Sequence, residues 1–191
     1  MVEQISSPLI ATPGGKSRVS KKIIKEFPKD YKTYVEPFSG GASVFWKEDR
    51  ADKRVINDKS KELIDFYKKF RNTSCKKIEN IDLNLNKEEK QEACKNRTKS
   101  VENYLSSNKL SFTGFCENGF SNKTRKMSNV KRDCEKYKDK LKDTTILNQD
   151  WKTVVDKFEN KDTLVYLDPP YFKKSFKYRE EGVTPKEVCD F

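Results

Sequence analysis

The chain has 191 residues, a formal net charge of +11 and a pI near 9.3, with 41 Lys/Arg against 30 Asp/Glu; this length suits one domain, or one domain carrying an insertion, and the charge favours a polyanionic partner over an acidic small substrate. Histidine is absent, which excludes imidazole triads, imidazole acid–base chemistry and histidine metal sites. No segment approaches the ~18 apolar residues of a membrane span and the N-terminus is too polar for a signal peptide, so a soluble, intracellular protein with no membrane partner is expected.

The run "TPGGKSRVSKKIIKEFP" opens with a Gly-Gly turn and continues as a helix, with Val19, Ile23 and Phe27 at four-residue spacing and Pro28 as its stop. "KTYVEPFSGGASVFWKE" predicts a strand over Thr33–Glu36, a glycine turn and a helix through Trp46. "KRVINDKSKELIDFYKKF" repeats the plan: a strand ending at Asn57, an acid at Asp58, and a helix with Leu63, Tyr67 and Phe70 on one face. From Asn72 to about Lys142 regularity is lost in a lysine-rich stretch whose one apolar island, "LSFTGF", is not helical in pattern. Strand–helix order returns in "TTILNQD", "TVVDKF" and "TLVYLDPPY". This alternation on both sides of an insertion predicts an α/β scaffold with a largely parallel sheet, divided as 1–71 and 143–191 around an insertion at 72–142.

Thr163 to Leu167 is a short β-branched and apolar run, as a buried parallel strand requires, and Asp168 sits at its C-terminal edge. Pro169 and Pro170 have no N–H and fix φ, so the backbone after the acid is stiff with its carbonyls able to accept; Tyr171 adds an aromatic plate. Such a set suits an amino group on a flat heterocycle, although the tetrapeptide alone reads first as a Pro-Pro turn capped by an acid, and the rest of the chain must decide. "EPFSGG" ends one strand where glycines let a ligand approach the backbone. Asp58 lies eighteen residues beyond Gly40, where doubly wound folds place an acid for ribose hydroxyls; an N-cap of the following helix is its other reading. Neither GxGxxG nor GxxxxGK[ST] occurs, so an adenosyl group without a pyrophosphate fits better than a dinucleotide or triphosphate. The five cysteines are widely spaced, odd in number and never form CxxC, which predicts reduced thiols rather than zinc ligands or disulfides.

The set "PGGKSR" (13–18), "EPFSGGASVF" (36–45), "NDKSKELIDFY" (57–67), "NQDW" (148–151) and "DPPY" (168–171), in that order, resembles the Dam-type (D12 class) DNA adenine-N6 methyltransferases. The resemblance implies a Rossmann-like S-adenosylmethionine-dependent methyltransferase sheet, with the insertion as a target-recognition region, and no metal. It places Thr12, Lys16, Glu36, Phe38 and Gly40 around the methionine part of S-adenosyl-L-methionine, Asp58 on its ribose, and Asp150 and Trp151 against its adenine. Asp168, Pro169, Pro170 and Tyr171 would hold the target adenine turned out of double-stranded DNA, with Asp168 bordering the cofactor as well. A cytosine-N4 or RNA methyltransferase and a catalytically silent DNA-binding fragment are the alternatives.

For DNA, nine Lys/Arg from Lys123 to Lys142 face three acids, and Lys123, Arg125, Lys126 and Arg132 are the expected phosphate ligands, with a solvated helix face as the other reading of Lys136 to Lys142. "NKLSFTGFCENGF" (108–120) resembles the family's recognition hairpin, which implies a DNA contact for Lys109 and wedge positions for Phe112 and Phe115; a small local core is the other reading. Glu117 falls where GATC-reading members carry an arginine, and a carboxylate cannot read guanine there. The family also continues past "DPPY" with further strands. "TPKEVCDF" begins a helix with Thr184 as N-cap and Pro185 at its first position; the expectation is a sheet incomplete at the C-terminus, with an open edge that self-associates or takes strands from a second polypeptide.

Overall fold

Four short segments form a parallel sheet in the computed structural model, which describes residues 5–121, 127–170 and 185–189. They are β1 (Thr33–Glu36), β2 (Lys53–Asn57), β3 (Thr144–Leu147) and β4 (Thr163–Val165), in the spatial order β3-β2-β1-β4. Val35 of β1 lies opposite Val55 on one side and Val165 on the other. All four strands therefore end at one edge. The chain steps outward from β1 through β2 to β3, then returns to β4 on the far side of β1, so strand order reverses between β1 and β4. Loops leaving such a pair diverge and open a crevice beyond the carboxyl ends.

β4 is shorter and less covered than expected. Its ladder ends at Val165, Tyr166 N–H still donates to the Val35 carbonyl at 2.8 Å, and its residues are half-buried. β4 is the sheet's edge among the described residues, with β1 as its neighbour. The helix expected after the glycine turn shrinks to one 3-10 turn, Phe45–Lys47. Gly40 (φ 46°) and Ala42 (φ 53°) are left-handed, a conformation no α-helix can carry.

Around the sheet lie α1 (Ser20–Lys25), α2 (Lys61–Arg71), α3 (Cys75–Glu79), α4 (Lys87–Lys95), α5 (Val101–Leu110), α6 (Ser128–Arg132), α7 (Cys134–Lys142), α8 (Trp151–Phe158) and α9 (Pro185–Cys189). The insertion is thus largely helical, not irregular. Its signals were local: Asn86 and Glu89 form a capping box for α4, and the Ser100 hydroxyl accepts from Asn103 N–H to cap α5. Helices of five to ten residues show too few turns for an apolar period to emerge from so many lysines. The expected final helix is present from Pro185; its Thr184 cap lies outside the described residues.

The insertion shares the core of the sheet. Tyr104 of α5 stacks on Phe66 of α2 with ring centroids 4.1 Å apart, and Tyr137 of α7 meets Trp46 edge-on at 5.0 Å. One buried cluster runs from Tyr34 and Ile56 through Phe66, Tyr67 and Phe70 to Val101, Leu105, Val130 and Leu141. On the opposite face α8 covers Val35 and Val55 with Val154. Two cystines add to this, Cys75–Cys134 between α3 and α7, and Cys94–Cys116 between α4 and the loop after α5. This corrects the expectation of reduced thiols: residues 59 and 22 apart in sequence are folded to Cα separations of 5.9 Å, which spacing along the chain does not reveal. Among the described residues, no helix is long and apolar enough to cross a membrane.

Candidate functional site

The carboxyl edge of the sheet gathers the acids that the sequence places at strand ends. Asp58, just past β2, accepts from Gly40 N–H through Oδ2 at 2.8 Å and from Ser60 N–H through Oδ1 at 2.9 Å. Ser60, not Asp58, is the N-cap of α2. The Tyr67 hydroxyl donates to the Gly40 carbonyl at 2.7 Å, and Gly41 N–H donates to Thr12 Oγ1 at 3.0 Å. The glycine turn is therefore held from three sides. Gly41 is needed there: a Cβ would stand 3.0 Å from the Ile10 carbonyl and 3.1 Å from Thr12 Oγ1.

Asn57 was not singled out from the sequence, yet it joins two of these loops. Its buried amide donates to the Pro37 and Gln149 carbonyls, both at 3.0 Å, and accepts from Gln149 N–H at 2.8 Å. The loops after β1 and β3 are thereby set side by side, and Phe38 meets Trp151 with ring centroids 5.6 Å apart. Asp150 is exposed and caps α8 by accepting from Lys152 N–H at 2.9 Å. An asparagine at a strand end is the signal that could have found Asn57, since a buried amide must satisfy both its donor and its acceptor.

Glu36 is 3% exposed. Strand alternation sets it on the same face as Tyr34, whose hydroxyl donates to Oε2 at 2.7 Å; Phe45 N–H donates to the same oxygen at 3.0 Å. Burial pushes its pKa up to about 8 against these two bonds, with Asp168 and Asp58 adding to the rise. Across the crevice, the Lys16 ammonium lies 2.7 Å from both Asp168 oxygens and donates to the Gly14 carbonyl at 3.0 Å. Residues 152 apart in sequence thus meet where strand order reverses. Pro169 and Pro170 follow; Tyr171 lies outside the described residues.

On the insertion, Leu110 to Ser121 forms a tight antiparallel loop: Ser111 bridges Phe120, Phe112 N–H donates to Gly119 O at 2.9 Å, and Ser121 N–H to Leu110 O at 2.8 Å. Phe112 is 54% exposed at its tip, while Phe115 is half-buried with the Arg97 guanidinium 5.9 Å from its ring. Phe112 therefore does not belong to a local core. Lys109 points the other way from its expected DNA role: it is 6% exposed and its ammonium donates to the Leu9 carbonyl at 2.9 Å. Beside it, Asn108 clasps Ala11, accepting from its N–H at 2.9 Å and donating to its carbonyl at 2.8 Å. Gly114 permits this approach, since a Cβ would come within 2.3 Å of the Ala11 oxygen.

The basic run after the loop is also largely engaged within the fold. Arg132, 59% exposed along its side chain, forks onto Asp133, which holds that carboxyl below its usual range. Lys136 also pairs with Asp133, Lys138 with Glu135, and Lys140 with Asp49, while Lys131 donates to the Ile81 carbonyl. Their partners are the next residue for Arg132, one turn away for Lys136 and Lys138, and distant in sequence for Lys131 and Lys140, which a count of charges does not show. Lys123, Arg125 and Lys126 lie outside the described residues. A groove of about 550 Å³ lined by Lys77, Ile81, Glu89, Glu92 and Glu102 lies on the insertion and includes none of the strand-end residues above.

The family model for the D12 class N6 adenine-specific DNA methyltransferases matches residues 13–187. The type II methyltransferase M.CviBI of Paramecium bursaria Chlorella virus NC1A is 27% identical over 181 residues, covering 86% of this chain and 68% of the relative. The type II methyltransferase M.MjaIII of Methanocaldococcus jannaschii is 26% identical over 199 residues, with the same two coverages. The matched span takes in both flanks of the sheet, the insertion between them and the acid at the crevice, and on that ground the chain belongs to the D12 class of N6 adenine-specific DNA methyltransferases.

Proposed function

We propose that the crevice between β1 and β4 binds S-adenosyl-L-methionine together with an adenine turned out of duplex DNA, and that Asp168 and the Pro169 carbonyl hold the N6 amino group during methyl transfer. The observation that carries this reading is the meeting of Asp168 with Lys16 at the reversal of strand order, beside the glycine turn. The residues present suit the cofactor. Ser39 Oγ, in the turn itself, is buried without a hydrogen-bond partner among the described residues, as a polar group awaiting a ligand would be. Phe38 and Trp151, their rings tilted by 41°, offer apolar surface against which an adenine ring could pack. Asp58 stands just past β2 and is held by Gly40 N–H and Ser60 N–H, which fixes a carboxylate beside the glycine turn as an acceptor for ribose hydroxyls. Thr12 and Gly40 shape the turn, Asp150 would border the adenine side, and Lys16 and Glu36 would meet the carboxylate and ammonium of the methionine part, the ammonium drawing down the raised pKa of the buried Glu36.

S-adenosyl-L-methionine supplies an electrophilic methyl group on sulfonium sulfur. The protein's part is to make N6 a nucleophile, since its lone pair is delocalised into the adenine ring. Accepting both N6–H bonds, one at Asp168 and one at the Pro169 carbonyl, favours a pyramidal nitrogen and sets a negative charge beside the positive charge that develops there; as the S–C bond breaks its electron pair stays on sulfur, and Asp168 is in place to take the proton that the methylated nitrogen loses and pass it to solvent. Pro170 stiffens the carbonyl's position, and Tyr171 would return the stacking that the base loses on leaving the helix. Alignment matters more than base strength, so the absence of histidine is no obstacle. Phe112 would fill space beside the vacated base, and Lys123, Arg125 and Lys126 would contact phosphates, with Arg132 at their border.

The test is product analysis. The protein is incubated with labelled S-adenosyl-L-methionine and duplex DNA, which is then digested to nucleosides; label in N6-methyldeoxyadenosine is expected. Label in N4-methyldeoxycytidine, or methylation of RNA alone, would overturn the reading.

A further inference from the structure

The contact between Lys16 and Asp168 does more than mark the crevice. With both carboxylate oxygens at 2.7 Å, the ammonium straddles the group in the position an N6–H would need. A cation there also opposes the positive charge that methyl transfer places on N6. The backbone of Lys16 is fixed, because its carbonyl accepts from Val19 N–H at 2.9 Å and Ser20 N–H at 2.8 Å at the start of α1. Its side chain is a flexible four-carbon stem that can turn between neighbouring anions. The loop it stands on is tied to the glycine turn, with Thr12 Oγ1 accepting from Gly41 N–H, while its ammonium reaches Asp168.

We infer that Lys16 is a transferable cation: it occupies Asp168 until an anionic carboxylate at the glycine turn draws it away, so that capture of the target adenine is conditional on a bound cofactor. This rests on the cofactor reading given above. Lys16 is then a positioning residue, acting on the adenine through Asp168. The carboxylate of the cofactor's amino-acid end is the required trigger, and the adenosine end alone is not sufficient.

A duplex carrying the sequence the protein methylates, with the target adenine opposite an abasic site so that extrusion costs little, is titrated without ligand, with S-adenosylhomocysteine, and with 5′-methylthioadenosine, which lacks the carboxylate. For the wild type, S-adenosylhomocysteine should tighten duplex binding by about ten-fold, within the usual range of coupling between sites, and saturating methylthioadenosine should leave it nearly unchanged. Lys16→Met should bind the duplex without ligand about as tightly as the wild type does with S-adenosylhomocysteine, and should lose the ligand response. Equal tightening by both ligands in the wild type, or an undiminished response in Lys16→Met, would overturn the inference while leaving the cofactor site in place. Binding of neither ligand by the wild type would overturn the cofactor reading and this inference together. The comparison of two ligands on the wild type does not depend on the variant folding.

Discussion

Glu36 is the residue whose burial has the clearest thermodynamic consequence. Its folded pKa is about 8 against 4.5 for the free group, so between those values the folded chain keeps a proton that the unfolded chain gives up. Stability should therefore be greatest below about pH 4.5 on this account and fall as pH rises towards 8, by on the order of 3–5 kcal/mol. Urea unfolding at pH 5 and pH 8 reads this directly: the wild type should lose stability over the interval, Glu36→Gln should lose far less, and equal losses would remove Glu36 as the cause. Asp58 gives the binding counterpart. Asp58→Ala should weaken S-adenosyl-L-methionine binding by about 1–3 kcal/mol in calorimetry, as for a hydrogen bond to a charged acceptor; unchanged affinity would take Asp58 out of the site. Asp58 was legible from its place just past a short apolar strand, whereas Glu36 was marked only by the family resemblance. Lys109 was not legible, because composition gives a lysine's charge but not the direction in which its helix turns it, and the Leu9 carbonyl that receives it is 100 residues away.

Among the elements, β1 follows its expected bounds and β2 ends at Asn57 as expected, since apolar runs closed by turn residues are local signals. The helices of the insertion escaped detection, and so did the cystines that fasten them. Cys94–Cys116 closes a loop of 22 residues around α5 and the exposed tip at Phe112, which by chain entropy contributes about 3 kcal/mol. Cys116→Ser should lower the Tm by roughly 6–12 °C relative to the oxidised wild type; a Tm equal to the wild type's, or peptide mapping that shows no Cys94–Cys116 link, would contradict the pairing. The loop itself separates stability from function. Phe112 is exposed, so Phe112→Ala should change stability by no more than about 0.5 kcal/mol. If its ring serves as a wedge beside the extruded base, the same variant should methylate duplex DNA more slowly than DNA in which the target adenine is already unpaired. Equal slowing on both substrates would remove the wedge role.

At the scale of the whole molecule, one hydrophobic core joins sheet and insertion, so the Leu110–Ser121 loop is mounted on the body that carries the crevice. The count of 41 Lys/Arg overstates the cations open to phosphates, because Lys131, Arg132, Lys136, Lys138 and Lys140 are engaged with groups of the fold. The architecture as a whole was legible from strand–helix alternation, whereas the order β3-β2-β1-β4, which creates the crevice, depends on long-range pairing. The central claim is that Asp168 at this reversal holds the reacting amino group, and single-turnover transfer of a tritiated methyl group to duplex DNA by Asp168→Ala, at saturating cofactor, tests it most directly. Transfer should fall by at least about 100-fold, the usual cost of losing a charge placed against a developing one, with duplex binding in the absence of cofactor, when Lys16 occupies Asp168, changed by no more than about three-fold. Transfer at the wild-type rate, with N6-methyldeoxyadenosine as product, would contradict the account.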